Sequence, residues 1–228
     1  MTREPLLRKL FVILALAALS VSTAGLAGAT TIGGSTTADN AFFMYLSTNN
    51  SALGTLIASG NSWPTTFTIP ASALTPGVTN YLQIEVINYG LQGGFIGDFN
   101  LSDASFRFAN GTLSLSTDTT NWAGIYNSSN NLVAAQPWVT PTGGVVSFGA
   151  NGVAPWGTRP GISSGALWIW PNDASSVPGG IACANCTVDF STAITPVVRG
   201  VVPEPATLII FGTGLVGVAA VLRRKSTR

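Results

Sequence analysis

Histidine is absent from all 228 residues. That removes the side chain whose ordinary pKa lies nearest neutrality, the usual general base of hydrolases, the commonest transition-metal ligand and every Ser-His-Asp triad. Charge is almost as scarce: Asp, Glu, Lys and Arg make up 8% of the chain, against about 25% in an average soluble domain. The positive charges gather at the ends, with Arg3, Arg8 and Lys9 on one side and Arg223, Arg224, Lys225 and Arg228 on the other. Only Arg107, Arg159 and Arg199 stand between them, and no lysine does. A nucleic-acid partner requires clustered cations that displace the counterions of its phosphates, so that class of function is excluded for the body. What wets the surface instead is Gly, Ser, Thr and Asn, which fill the stretches between apolar runs as in a many-turned β protein.

The two ends read as addresses. Residues 1–9 are short and basic, residues 10–19 form an unbroken apolar run, and Ala27-Gly28-Ala29 is a small-x-small cleavage site. This is a secretory signal peptide over 1–29, too short in its apolar part for the roughly 20 residues of a permanent span. Its removal leaves a mature chain beginning near Thr30, and it requires Sec-type export and a signal peptidase. At the other end Val202-Pro203-Glu204-Pro205 precedes an apolar, Gly-containing run over 206–222, followed at once by the basic stop Arg223-Arg224-Lys225. At 1.5 Å rise per residue the run spans roughly 25 Å, just enough for one transmembrane helix. Basic residues directly after it favour the cytoplasmic side, so everything before Pro203 lies outside. Two prolines also forbid helix across the motif, leaving extended backbone at the membrane surface where a processing enzyme can reach it.

This tail resembles the PEP-CTERM sorting signal of Gram-negative bacteria, with a Pro-Glu-Pro motif, a short hydrophobic helix and a basic stop in that order over 201–228. The resemblance implies recognition by an exosortase, a membrane-embedded cysteine transpeptidase, with cleavage near Pro203 to Pro205. It also implies a passing stay in the inner membrane with the body in the periplasm, then the cell surface or medium of a bacterium that makes exopolysaccharide or biofilm matrix.

Between the addresses, residues 30–200 hold short β-type runs bounded by turn residues, and no run of helical period longer than a turn or two. The fold class expected is all-β, a single β-sandwich or jelly roll of about eight to ten strands. Strands are expected at 41–46, 65–69, 81–88, 105–108, 112–115, 145–148, 166–170 and 188–193, with turns at Pro76-Gly77, Asn110-Gly111, Gly143-Gly144 and over Gly93 to Gly97. The run 81–88 is the clearest, with Leu82, Ile84 and Val86 on one face and Gln83 and Glu85 on a polar one. No repeat of 20 to 50 residues points to a solenoid or propeller.

Ala38-Asp39-Asn40-Ala41-Phe42-Phe43-Met44-Tyr45 resembles the opening strand of galactose-binding-like jelly rolls. Gly60-Asn61-Ser62-Trp63, the long strand through Glu85 to Asn88, Gly93-Gly94-Phe95 and the Trp-rich stretches around Trp122, Trp138, Trp156, Trp168 and Trp170 are similar to the rest of those modules, in order. The match runs from about Asp39 to Trp170 and implies a jelly-roll body. After Tyr45 the chain departs from that pattern, running Leu46-Ser47-Thr48-Asn49-Asn50, so the first hairpin is altered.

Six tryptophans invite a carbohydrate reading, because exposed indole faces stack on the apolar faces of pyranose rings. Trp168 and Trp170 share a strand face and are expected in the core. Trp63, Trp122, Trp138 and Trp156 stand beside Pro, Gly or Asn in loops and are the ligand candidates. Asp98 and Asp103, with carbonyls of the 93–97 turn, are a candidate Ca²⁺ site, though no D-x-D-x-D spacing supports it; no other cofactor or metal is expected. Cys183 and Cys186 form a C-x-x-C that fits a redox pair, half of a zinc site or a small disulfide loop. Zinc wants two further ligands, and the β-like run after Cys186 does not suit a redox motif, so in an exported chain a disulfide pinching a turn is the expectation. Glu85, the one Glu of the body, could pair with an Asp as glycosidases require, but no spacing indicates it, and no enzyme is expected. Asn110-Gly111-Thr112 and Asn127-Ser128-Ser129 have the form of glycan acceptors, without an expectation of N-linked glycans. The function these features point to is an exosortase-processed surface or matrix protein, alternatively a carbohydrate-binding module proper, in contact with exopolysaccharide and with no nucleic acid.

Overall fold

The computed structural model describes residues 29–129, 137–173, 183, 185–198 and 214. The chain divides into two compact units, Met1–Pro196 and Val197–Arg228. The signal peptide up to residue 28, the sorting motif at 202–205, the span expected over 206–222 apart from Gly214, and the basic stop at 223–225 lie outside the described residues. No helix among the described residues is long and apolar enough to cross a membrane.

The first unit is all-β. Its strands are β1 (Thr31–Asp39), β2 (Ala41–Ser47), β3 (Thr55–Gly60), β4 (Phe67–Ala73), β5 (Asn80–Asn88), β6 (Gly94–Leu101), β7 (Phe106–Phe108), β8 (Ser114–Ser116), β9 (Ala123–Ser129), β10 (Val145–Ala150), β11 (Leu167–Pro171) and β12 (Cys186–Pro196). They form two antiparallel sheets. The first runs β10-β11-β6-β1-β4 with β8 also on β6, and the second runs β3-β2-β5-β12-β7 with β9 also on β12. The two sheets enclose one core, to which β1, β4, β6, β10 and β11 contribute Ile32, Ile69, Phe95, Phe99, Val145 and Ile169, and β2, β5 and β12 contribute Phe42, Met44, Leu82, Ile84, Val86, Val188 and Phe190. Alternation along β5 and β12 places these side chains inward, as the period of two requires.

Among the described residues twelve strands rather than eight to ten make the sandwich, and the four not expected, β1, β3, β6 and β9, share a cause. They are rich in Gly, Ser, Thr and Asn, residues that read as turn chemistry when pattern alone is used. The stretch over Gly93 to Gly97 is the plainest correction, since it enters and forms β6 instead of a turn. Its glycines make room for rings. A Cβ on Gly93 would lie 2.6 Å from the Trp170 ring, and one on Gly94 would lie 2.8 Å from Trp168 and 3.0 Å from Trp156. Gly34 on the neighbouring β1 has a φ of +149° and sits so close to β6 that a Cβ would meet the carbonyl of Asp98 at 2.0 Å.

Each sheet is also covered on its outer side. Over the first sheet, residues from 148 to 166 fold back and bury a second cluster of Ile96, Trp156, Ile162, Ala166 and Trp168. Trp156 is stacked between Phe148 and Trp168, with ring centroids 6.1 and 4.5 Å apart. Trp168 and Trp170 are both fully buried as expected, but Trp168 belongs to this outer cluster and Trp170 to the central core. Over the second sheet the cover is polar. The face of β5 that carries Gln83 and Glu85 is not open to water: these residues are 0% and 1% exposed beneath the 48–54 loop and the 137–140 segment.

A disulfide joins Cys183 to Cys186 across a Cα separation of 5.8 Å, with Asn185 between them in the left-handed region at φ 53°. The turn enters β12 and is tied to β5, whose buried Asn88 donates its Nδ2 to the Cys183 carbonyl at 2.7 Å.

Two outcomes are expected. Gly94→Ala pushes a methyl group into packed indoles and lowers stability by about 1–3 kcal/mol, measurable by urea denaturation. Replacing both Cys183 and Cys186 by Ala opens a short loop and costs about 2 kcal/mol by loop-closure entropy, read from the same transition.

Candidate functional site

The polar cover of the second sheet is where titratable groups converge. In the β5–β12 ladder Asp189 stands directly opposite Glu85, and Ser191 opposite Gln83. On the other side of β5, Phe43 pairs with Glu85 and Tyr45 with Gln83. Asp189 is 0% exposed. Its Oδ2 accepts the backbone N–H of Val139 at 2.9 Å and the Asn127 Nδ2 at 2.7 Å, which ties both the 137–140 segment and β9 to the sheet. Gln83 does the same for the 48–54 loop: its Oε1 accepts the Gly54 N–H at 3.0 Å and its Nε2 donates to the Ala52 carbonyl at 3.1 Å. The two covers also meet each other, since Trp138 donates its indole N–H to the Asn50 carbonyl at 2.7 Å.

Burial pushes the Asp189 carboxyl up to about 8; the bonds from Val139 and Asn127 oppose this, and the charge of Glu85 adds to it. Burial, then the charges of Glu85 and Asp189, push the Tyr45 phenol up to about 12.

Of the sequence candidates, this site takes in Trp138 and Glu85. It leaves out Trp63, Trp122 and Trp156. Trp122 is 3% exposed, packed edge-on against Phe95 at 5.4 Å with its N–H on the Ser116 carbonyl at 3.3 Å. Trp156 is 2% exposed and donates to the Asp39 carboxylate at 2.8 Å, whose own pKa is raised by burial against that bond. Their loops fold over the sheets, so neither indole offers a face to a ligand. Trp63 keeps partial exposure, with the Arg159 guanidinium 5.4 Å from its ring centroid.

Asp98 and Asp103 do not form one site. Asp98 lies within β6 and accepts from the Ser116 hydroxyl and the Ser163 N–H, in a cleft of about 350 Å³ that Asn100 and Ser35 also line. Asp103 caps the β6–β7 turn, accepting from Thr30 at 2.9 Å and from the Ser105 N–H at 2.8 Å, bonds that lower its pKa. Among the described residues no three His, Cys, Asp or Glu side chains gather as a metal group. An open groove of about 710 Å³ lies where β3 and β4 diverge, lined by Leu46, Thr48, Leu53, Ile57, Ser72 and Asn80.

Asp189, Asn50, Asn127 and Gln83 were not among the ligand, metal or catalytic candidates read from the sequence. The available signal was Asp189 itself, an acid inside the run Val188-Asp189-Phe190 where a strand was expected. Asn127, the first residue of one glycan-acceptor triplet, has its Nδ2 engaged by Asp189 and by the Pro137 carbonyl.

No curated protein and no solved structure matches the chain, so the likeness of the body to galactose-binding-like jelly rolls rests on the residues quoted for it. One family model does match: residues 201–225 fit the PEP-CTERM protein-sorting motif. The chain therefore carries a PEP-CTERM sorting signal, the mark of an exported protein recognised and processed by an exosortase and destined for the cell surface or the medium.

Proposed function

We propose that the mature protein works outside the cell as a non-enzymatic β-sandwich component of the extracellular matrix, in contact with the exopolysaccharide around it. The observation that carries this reading is the sorting motif at 201–225 joined to a body wetted by hydroxyl and amide groups in a chain with 8% charged residues. Such a surface meets neutral glycans through hydrogen bonds, which salt screens far less than ion pairs. In this scheme Sec export and signal peptidase remove residues 1–29, the 206–222 segment holds the chain in the inner membrane with the body in the periplasm, and the exosortase then acts near Pro203 to Pro205.

The burial of the carboxyl pair supports leaving catalysis out. Glycosidases set two carboxyl groups about 5–9.5 Å apart around an accessible bond, whereas Glu85 and Asp189 are 1% and 0% exposed beneath the 137–140 segment. A carbohydrate-binding module proper is the second reading. Trp63 favours it as a partly exposed indole backed by Arg159, which also donates to the Pro64 carbonyl at 2.7 Å and so holds the platform in place.

Intact mass of the protein from native cells, taken separately for membrane and medium, tests the processing. A species beginning near Thr30 and ending near Pro203 to Pro205 is expected; a species that retains 206–228 in every fraction would leave an ordinary anchor and remove the support for the matrix role. For glycan contact, tryptophan fluorescence is expected to shift on adding the host exopolysaccharide, and the shift is expected to disappear in Trp63→Ala but persist in Trp122→Phe. A shift that survives Trp63→Ala rules that residue out.

A further inference from the structure

The aromatic cover of the first sheet leaves the end of β6 open. Ile96, Asp98 and Asn100 point away from the core, alternating with the core residues Phe95, Phe99 and Leu101. Ile96 lies beneath the Trp156 cluster, whereas Asp98 is half-buried and Asn100 is exposed. The cleft of about 350 Å³ opens at these two residues.

Strand register lines the cleft with polar groups in two rows. Ser35 of β1 and Ser116 of β8 stand opposite Asp98 on its two sides, and Ser114 of β8 stands opposite Asn100. Directly opposed residues share a face, so these groups repeat about 5 Å apart across the strands and about 7 Å along them. Asp98 accepts the Ser116 hydroxyl on one oxygen and the Ser163 N–H on the other. The carboxylate is thereby fixed, and about half of its lone-pair sites remain for a further donor. Around it the Asn100 amide and the serine hydroxyls each donate and accept. A neutral sugar hydroxyl also does both, whereas an ammonium group only donates and a carboxylate only accepts.

The wall of the cleft leads to Trp63. Gly161 and Ser163 form this wall, and Arg159, two residues before Gly161, packs its guanidinium 5.4 Å from the Trp63 ring centroid. The four residue steps from Arg159 to Ser163 span at most about 14 Å, and a bond from the Ile162 N–H to the Arg159 carbonyl draws the stretch into a turn. A partly exposed indole and a hydrogen-bonding cleft therefore flank one short turn, the combination of apolar face and placed polar groups that ligand sites use.

We propose that this cleft is a subsite for one neutral sugar unit, whose hydroxyl groups bind Asp98 and Asn100, and that the glycan continues along the 159–163 turn to the face of Trp63. The inference rests on the glycan contact proposed above and adds its place and charge class. Asp98 repels uronic acids, and no cation among the described residues lines the cleft to attract them.

The test uses the full chain in a neutral detergent without sugar groups, with its affinity for immobilised host exopolysaccharide read by biolayer interferometry. Asp98→Ala is expected to weaken binding by about tenfold or more, the cost of a hydrogen bond to a charged group. Asn100→Ala, at an exposed side chain outside the core, is expected to weaken it severalfold, which keeps the cleft testable should Asp98→Ala misfold. Among free sugars added as competitors, a neutral hexose (glucose, galactose or mannose) is expected to displace the protein more effectively than glucuronic acid or glucosamine. If the wild-type protein does not bind the exopolysaccharide, the glycan reading fails and the subsite with it. Binding that Asp98→Ala and Asn100→Ala both leave unchanged overturns the subsite alone. So does competition by glucuronic acid or glucosamine that exceeds that of every neutral hexose.

Discussion

The ladder that holds β12 against β5, nine residue pairs from Cys186 opposite Asn88 to Ile194 opposite Asn80, sets both faces of the second sheet at once. In this register Val188 and Phe190 meet the first sheet across the core, and Asp189 and Ser191 face outward beside Glu85 and Gln83. A slip of one residue would exchange the sets, driving Asp189 into the hydrocarbon core and Phe190 into the polar cover. The turn closed by Cys183 and Cys186 stands at the mouth of this ladder, and its bond to Asn88 helps to fix where pairing begins.

The two sheets solve one problem in opposite ways. A sandwich usually leaves the outer face of each sheet to water. Here the first sheet is covered by an aromatic stack of Phe148, Trp156 and Trp168, which Gly94 of β6 admits by offering no side chain. The second is covered by a hydrogen-bonded layer in which Asp189 and Gln83 serve the backbone of two loops. In the first layer the indole N–H of Trp156 is met by the Asp39 carboxylate; in the second the Asp189 carboxylate and the Gln83 amide take that role for backbone groups.

For a protein addressed to the cell exterior, this arrangement is consistent with its composition. With few charges on the surface, the body relies on a cover over each sheet and on neutral polar groups. The sorting signal and the body are separate devices in the chain, since the signal is a linear pattern of residues and the body is a matter of register and packing.

Amino-acid order alone carried the sorting signal, because Val202-Pro203-Glu204-Pro205, the apolar run and the basic stop form a linear motif that needs no tertiary structure to be recognised. It also carried the all-β class and the strands with dense β-type apolar residues, β2, β5, β11 and β12, with side-chain direction along β5 following from the period of two. Glycine-rich β1 and β6 were illegible, because a glycine that makes room for an indole looks the same in one dimension as one that turns the chain. The fate of the tryptophans was equally hidden: Trp122 and Trp156 sit in loop-like sequence, and only long-range folding of those loops onto a sheet decides that they are buried. The meeting of Glu85 with Asp189, 104 positions apart by their numbers, belongs to tertiary structure entirely, because strand order and register, not spacing along the chain, bring the two carboxyl groups together beneath one cover.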